Sequence, residues 1–187
     1  MRPRRTRKPA GSLPVMPTLV LDPQPVEVAS LIERRRKLGQ DLFDEVWEGV
    51  LHMNPAPRGR HGVLETQLAV LLDPLARAAG LVPTGQFNVG RSEENYRVPD
   101  LGLHREFTDR VWYPTAALVV EIVSPDDESY KKFDFYAAHA VNEVMVVDPQ
   151  ERTVRWLGLE AGKYEPLDAS GLIELGPDEL AQRITWP

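Results

Sequence analysis

The 187-residue chain has no cysteine. That excludes disulfides, thiolate metal sites and a cysteine nucleophile; it is compatible with a reducing cytosol without fixing the compartment. Long hydrophobic runs are also missing. No stretch approaches the roughly 20 apolar residues of a membrane span. The opening "MRPRRTRKPAGSLPVMP" is basic but lacks the apolar centre of a secretory signal, about 7–15 residues long. The expectation is a cytoplasmic protein with no membrane association. Excess positive charge is missing too. There are 22 Lys and Arg against 28 Asp and Glu. Five of the basic residues (Arg2, Arg4, Arg5, Arg7 and Lys8) precede Ala10 with no acid among them. The rest of the chain carries 17 basic residues against 28 acidic ones, a formal charge of −11. A body that acidic does not hold a polyphosphate by net charge alone. The basic start reads as a nucleic-acid arm or as a solvated terminus, and the second reading is preferred.

What is present suits one soluble domain with a real core: 42% hydrophobic and 27% charged residues. Residues 1–25 are Pro-rich without sustained periodicity and read as a disordered tail, leaving 26–187 as a single domain. "VEVASLIERRRKLG" reads as a short helix, with Val28, Leu31, Ile32 and Arg35 at helical spacing and Gly39 as a stop. "LFDEVWEGVLHM" reads as two short strands turning at Glu48-Gly49. From His61 to Ala79, Leu64, Leu68, Leu71, Leu72, Leu75 and Ala79 form an apolar helix face; Pro74 predicts a kink or two abutting helices. "TGQFNVG" and "YRVPDLGLH" read as strands joined through "RSEEN". "ALVVEIVS" and "EVMVVD" are further strands. Between them "DDESYKKFDFYAAHA" predicts a helix with Phe133, Tyr136, Ala137 and Ala140 on one stripe. "TVRWLGL" and "KYEPL" predict a hairpin turning at "EAG", and "PDELAQRI" a closing helix. The order predicts a mixed α/β, or α+β, fold: one central mixed sheet flanked by helices, with added β-hairpins.

One residue is out of place. Glu121 interrupts the apolar run Leu118–Val123, where a buried carboxylate needs a proton, a cation or a metal. In a strand it shares a face with Val119 and Val123, while Leu118, Val120 and Ile122 take the other. Upstream, Asp100 follows a proline at the mouth of another apolar strand. Downstream, Lys131 and Lys132 open a helix. Two strand-borne carboxylates and a lysine within about 33 residues suit a divalent-metal phosphodiesterase. Mg²⁺ takes one or two carboxylates, keeps waters and accepts phosphate oxygens. A lysine can orient water or hold phosphate.

The blocks "DEVWEGVLHMNPAPRGRH", "VPDLGLH", "ALVVEIVSP" and "YKKFDFYAAHAVNEVMVVDPQERTV" resemble the Uma-two family of restriction endonucleases, a branch of the PD-(D/E)XK nuclease superfamily. The resemblance covers about Phe43 to Leu159. It implies a restriction-endonuclease-like fold and an Mg²⁺- or Mn²⁺-dependent endonuclease. It implies nucleic acid, DNA by preference, as substrate, and a homodimer. It assigns Asp100 and Glu121 as metal ligands. In the wider superfamily a lysine stands two positions after the second acid; here that position is Val123. Lys132, by its spacing to Tyr136, matches the later lysine of this branch, and Lys131 is the adjacent alternative. Glu45 and His61 match a glutamate and a histidine that line the same cleft.

Each of these residues also has a plainer reading. Glu121 could pair with an arginine at a strand end, and Asp100 could shape a Pro-Asp turn. Lys132 and Lys131 could form i,i+4 ion pairs with Glu128 and Asp127. Ser124 and Pro125 read as a helix start. His61 could simply cap its helix. His52, His104 and His139 have no partner legible in the sequence, and the four tryptophans read as core or interface residues. A catalytically silent, homodimeric binding or scaffold protein is the alternative function.

Overall fold

The computed structural model describes residues 18–20, 26–124 and 128–187. The chain runs β1 (Thr18–Val20), α1 (Val26–Lys37), β2 (Glu45–Trp47), β3 (Val50–Met53), α2 (Gly59–Ala78), β4 (Val82–Thr84), β5 (Asn88–Ser92), β6 (Asn95–Arg97) and β7 (Leu101–His104). It continues with β8 (Trp112–Tyr113), β9 (Leu118–Ile122), a 3₁₀ turn (Ser129–Lys132), α3 (Phe133–Ala138), β10 (Glu143–Asp148), β11 (Thr153–Glu160), β12 (Lys163–Pro166) and α4 (Pro177–Arg183). The class is mixed α/β, as the sequence predicts, but the strands form two sheets rather than one sheet with added hairpins. The central sheet has the order β12-β11-β10-β9-β7-β4, and the second has the order β1-β3-β2-β6-β5-β8. Both are mixed: β9 and β10 run parallel, as do β5 and β8.

Pro99 explains the split. "YRVPDLGLH" looks continuous, yet its first part, β6, pairs with β2 and β5, while its second part, β7, pairs with β9 and β4. Proline has no N–H for a ladder, so the strand breaks there and the chain crosses from one sheet to the other. Asp100 stands at that crossing. The sequence predicts an unstructured tail over residues 1–25. Within it, Thr18–Val20 instead pair antiparallel with Leu51–Met53; the rest of that segment lies outside the described residues.

Alternation along β9 sorts the core into two layers. Leu118, Val120 and Ile122 face α2 and α4, packing with Leu64, Leu68, Leu72, Met145, Trp156 and Leu180. Val119 faces α3, packing with Val89, Phe135, Tyr136, Val144 and Val146. Fully burying each of the α2 leucines contributes about 1.5–3 kcal/mol. This stripe carries α2 through Pro74 as a single 20-residue helix, not as two abutting helices. The carbonyl that Pro74 leaves without an N–H belongs to Val70, whose side chain is exposed, so water can satisfy it.

The hairpin at Glu48-Gly49 is as the sequence reads. Both residues have positive φ, 48° and 83°, as a primed two-residue turn requires. The helix after β9 differs from expectation. It opens as a 3₁₀ turn at Ser129; of the expected stripe Tyr136 is buried, Phe133 and Ala137 are half-buried and Ala140 is exposed, while Phe135 joins Tyr136 in the core. The helix start read at Ser124-Pro125, and the Asp127–Lys131 pair, involve residues 125–127, outside the described part. No helix among the described residues is long and apolar enough to cross a membrane.

Candidate active site

Glu121 lies on the α3 side of β9 and is only 3% exposed. Among the described residues its carboxylate meets a lysine, not an arginine. Lys132 Nζ donates to Glu121 Oε2 at 3.0 Å and to Oε1 at 3.2 Å. The Tyr136 hydroxyl donates to Glu121 Oε1, and Ser129 Oγ lies 3.5 Å from Oε2. The helical segment after β9 folds back over the strand, and its spacing of 129, 132 and 136 turns three side chains onto one acid.

The two lysines separate clearly. Lys131 is exposed and pairs with Glu128, a surface contact worth little. Lys132 turns inward, with an 11%-exposed side chain, and bridges Glu121 and Glu45, whose Oε1 is 2.9 Å away. The i,i+4 pairing of Lys132 with Glu128 read from the sequence is replaced by this buried bridge.

Glu45 is the first residue of β2 and is nearly sealed from solvent. Its Oε1 also accepts the backbone N–H of Val98 at 2.8 Å, and its Oε2 accepts Trp47 Nε1 at 2.7 Å. Each carboxylate oxygen of Glu45 is therefore fixed, and the acid ties the second sheet to the segment leading into Asp100.

Asp100 is held against Glu121 by the backbone. The β7–β9 ladder ends at Leu101↔Val120. One residue further, the Asp100 N–H donates to Val120 O at 3.0 Å, and Asp100 Oδ2 accepts the Ile122 N–H at 2.7 Å. Asp100 thus grips both residues that flank Glu121. Its Oδ1 lies 2.8 Å from His61 Nε2 in the first turn of α2. All five residues singled out in the sequence, Glu45, His61, Asp100, Glu121 and Lys132, converge from β2, α2, the β6–β7 crossing, β9 and the 3₁₀ turn.

Three acids face one lysine here, and the electrostatics reflect it. Burial, together with Asp100 and Glu45, outweighs Lys132 and pushes the Glu121 carboxyl up to about 8. Burial works against the Lys132 charge, but Glu121 and Glu45 more than offset it and hold the ammonium protonated. Burial and the same two acids raise Tyr136 well above its ordinary value, keeping it a hydrogen-bond donor. Beside Asp100, a cleft of about 550 Å³ opens between α2 and the β4–β7 edge, lined by Gly62, Glu65, Leu101 and Val120 among others. Burial and Asp100 raise the Glu65 carboxyl there.

The remaining sequence readings are placed as follows. His104 is buried, 3.1 Å from Thr84 Oγ1, and burial lowers it to about 4. His52 is buried and stacks on Trp47. His139 stacks on Phe135 at the end of α3. Trp156 is a core residue whose Nε1 donates to the buried Glu143. Tyr136, Ser129 and Trp47 are site residues that sequence reasoning did not select. The sequence presents Tyr136 as a stripe residue and a spacing marker; its four-residue distance from Lys132 is the signal that places it at the site.

The donor set can be tested against a divalent cation. Among the described residues no three His, Asp or Glu side chains form a metal-binding group. That argues against a closed zinc site. Asp100 and Glu121 offer two carboxylates at neighbouring positions, a donor set that suits Mg²⁺ or Mn²⁺, which retain several waters.

The sequence model of the Uma2 family, described as "Putative restriction endonuclease", matches residues 33–184. The chain belongs to the Uma2 family. Its fold is similar to the crystal structure of a "putative nuclease belonging to DUF820" from Anabaena variabilis ATCC 29413. The TM-score is 0.59 at 18% identity, over 75% of this chain and 90% of that one. No curated protein matches the chain. The Uma2 match spans every site residue above.

Proposed function

We propose that this Uma2 protein is an endonuclease of the restriction-endonuclease-like fold that hydrolyses nucleic-acid phosphodiesters with Mg²⁺ or Mn²⁺. The observation that carries the reading is the placement of Lys132. Where the wider superfamily puts lysine two residues after the second acid, this chain has Val123 and returns an ammonium to Glu121 from the following turn. Asp100 and Glu121 would hold the cation, which supplies a more acidic bound water and neutralises charge on the phosphate.

The chain's own groups carry the rest. Lys132 remains protonated and donates toward water or a phosphate oxygen near Glu121. Tyr136 and Ser129 fix the Glu121 carboxylate, while His61 and the Ile122 N–H fix that of Asp100. Glu45 holds Lys132 in place from the opposite sheet. DNA is the substrate class this reading favours, reached by local contacts because the chain is acidic overall, with two copies acting as a homodimer.

The test is cleavage of single- and double-stranded DNA and RNA by the full chain, with and without Mg²⁺ or Mn²⁺. Metal-dependent endonucleolytic cleavage that disappears in Asp100→Asn and Glu121→Gln is the expected result. Absence of cleavage across the panel overturns the reading. One observation favours a silent scaffold instead: every acid at the site already has a protein partner, so the network is complete without a cation.

A further inference from the structure

Arg97 is the largest buried cation outside the cluster just described. It ends β6 and is 2% exposed. Its guanidinium carbon lies 4.5 Å from the Trp47 ring centroid and 4.0 Å from that of Phe135. Nη1 donates to Val46 O at 2.8 Å, and also reaches Asn95 Oδ1 at 3.0 Å and Tyr96 O at 3.2 Å. Its only ion pair among the described residues is with Glu48, at 3.2 Å, and the Glu48 side chain is 71% exposed. The buried Nε has no hydrogen-bond partner.

That arrangement is hard to explain as support for the fold alone. A buried charge with one N–H unpaired is costly, and one solvent-facing acid returns little. A methionine could fill the space between two rings without that cost. The neighbours of Arg97 give the reason for a cation. Val46 and Trp47 immediately follow Glu45, and Trp47 Nε1 holds Glu45 Oε2. Phe135 immediately precedes Tyr136, which holds Glu121. Val98, the next residue in the chain, gives its N–H to Glu45.

We infer that Arg97 is a positioning residue: clamped between Trp47 and Phe135, its guanidinium sets Glu45 and α3 on either side of the Glu121–Lys132 pair. Its charge also offsets the three-acid cluster, and a planar guanidinium can stack between the two rings while its N–H groups still reach Val46 O, which a shorter-reaching ammonium cannot do at once. The attraction of Arg97 to Glu45 agrees with this placement. The inference rests on the nuclease reading only for its effect on rate, not for its effect on Glu45.

The experiment compares wild type, Arg97→Met, Arg97→Lys and Glu48→Gln. The primary readout is the Trp47 indole N–H resonance in metal-free, substrate-free protein, assigned by Trp47→Phe. Arg97→Met is expected to move that resonance toward the position of a water-bonded indole, because the Glu45–Trp47 bond loosens. Arg97→Lys keeps the charge but cannot span both rings and Val46 O, so it moves the resonance the same way and keeps the inference testable if the methionine variant does not fold. Glu48→Gln leaves the resonance in place. Cleavage by Arg97→Lys is expected to fall about 100-fold in kcat with KM little changed, the effect of misplacing a catalytic group by about 1 Å. An unmoved resonance in both Arg97 variants, with only a lower melting temperature, overturns the inference. So does a Glu48→Gln shift as large as theirs. If wild type cleaves nothing, the nuclease reading fails while the resonance still decides the role of Arg97.

Discussion

Lys132 Nζ sits 3.0 Å from Glu121 Oε2, although the two residues are 11 apart in sequence and belong to different elements. The 3₁₀ turn, placed against the α3 side of β9, makes this possible. It also sets the first prediction. Lys132→Ala is expected to reduce cleavage about 10²–10⁴-fold while metal still binds, because its work is on water or phosphate. Lys131→Ala is expected to change the rate less than about threefold, since its partner Glu128 lies in a solvent-screened pair. Single-turnover rates measured side by side decide between the two lysines.

Glu121 makes stability depend on pH in a definite direction. Its carboxyl is raised in the fold to about 8 from an ordinary 4.5. The folded state therefore binds the proton more tightly than the unfolded state between those values. Its contribution is fully present below about pH 4.5 and is lost as pH rises through about 8. Metal-free wild type should lose up to about 1.4 kcal/mol per pH unit from this group across that window. Glu121→Gln should lack that component. Urea unfolding of both proteins from pH 5 to pH 9 measures the difference, and parallel curves would contradict it.

The same proton couples to metal. Binding a cation at Glu121 displaces it, so Mn²⁺ affinity should climb by up to about tenfold per pH unit until about pH 8. Tyr136→Phe removes a hydrogen bond that lowers the Glu121 carboxyl. That variant should move the affinity curve to higher pH and cost about 1–3 kcal/mol for the acceptor left unsatisfied. Titrations at several pH values check both statements.

His61 orients Asp100 through a 2.8 Å contact to Oδ1. His61→Ala leaves the Ile122 N–H on Oδ2 but frees the other oxygen. Losing the partner of a ligating side chain typically weakens metal binding about 10–100-fold. Calorimetric titration of His61→Ala with Mn²⁺ should show that loss with little change in unfolding free energy. Unchanged affinity would make His61 a packing residue.

Much of this site was legible because the residues that build it break local rules. An acid inside an apolar strand, a Pro-Asp pair before another strand and a lysine pair before an apolar stripe each stand out without a structure. What supports them was hidden for physical reasons. Trp47 reaches Glu45 from two residues along the same strand, and the Val98 N–H reaches it because β6 pairs with β2; that pairing is hidden because the strand broken at Pro99 reads as continuous. The 3₁₀ turn at Ser129 changes where the helix begins, so Phe135 joins the expected Tyr136 in the core while Phe133 is only half-buried. Glu143 gave no signal at all: its partners Trp156 and Ser170 lie 13 and 27 residues away. That second buried acid is satisfied wholly by neutral donors, one of them the Gly171 N–H. Glu121 differs in having the charged groups Lys132, Glu45 and Asp100 around it as well as neutral donors.

The central claim is that Asp100 and Glu121 face one another to share a divalent cation. Direct Mn²⁺ titration of the metal-free wild type, read by electron paramagnetic resonance, tests it without relying on any substrate. One bound Mn²⁺ per chain at pH 8, lost in both Asp100→Asn and Glu121→Gln and retained in Lys132→Ala, is the predicted result. No binding to wild type, or binding that survives both acid substitutions, contradicts it and leaves Glu121 as the buried partner of Lys132 in a silent scaffold.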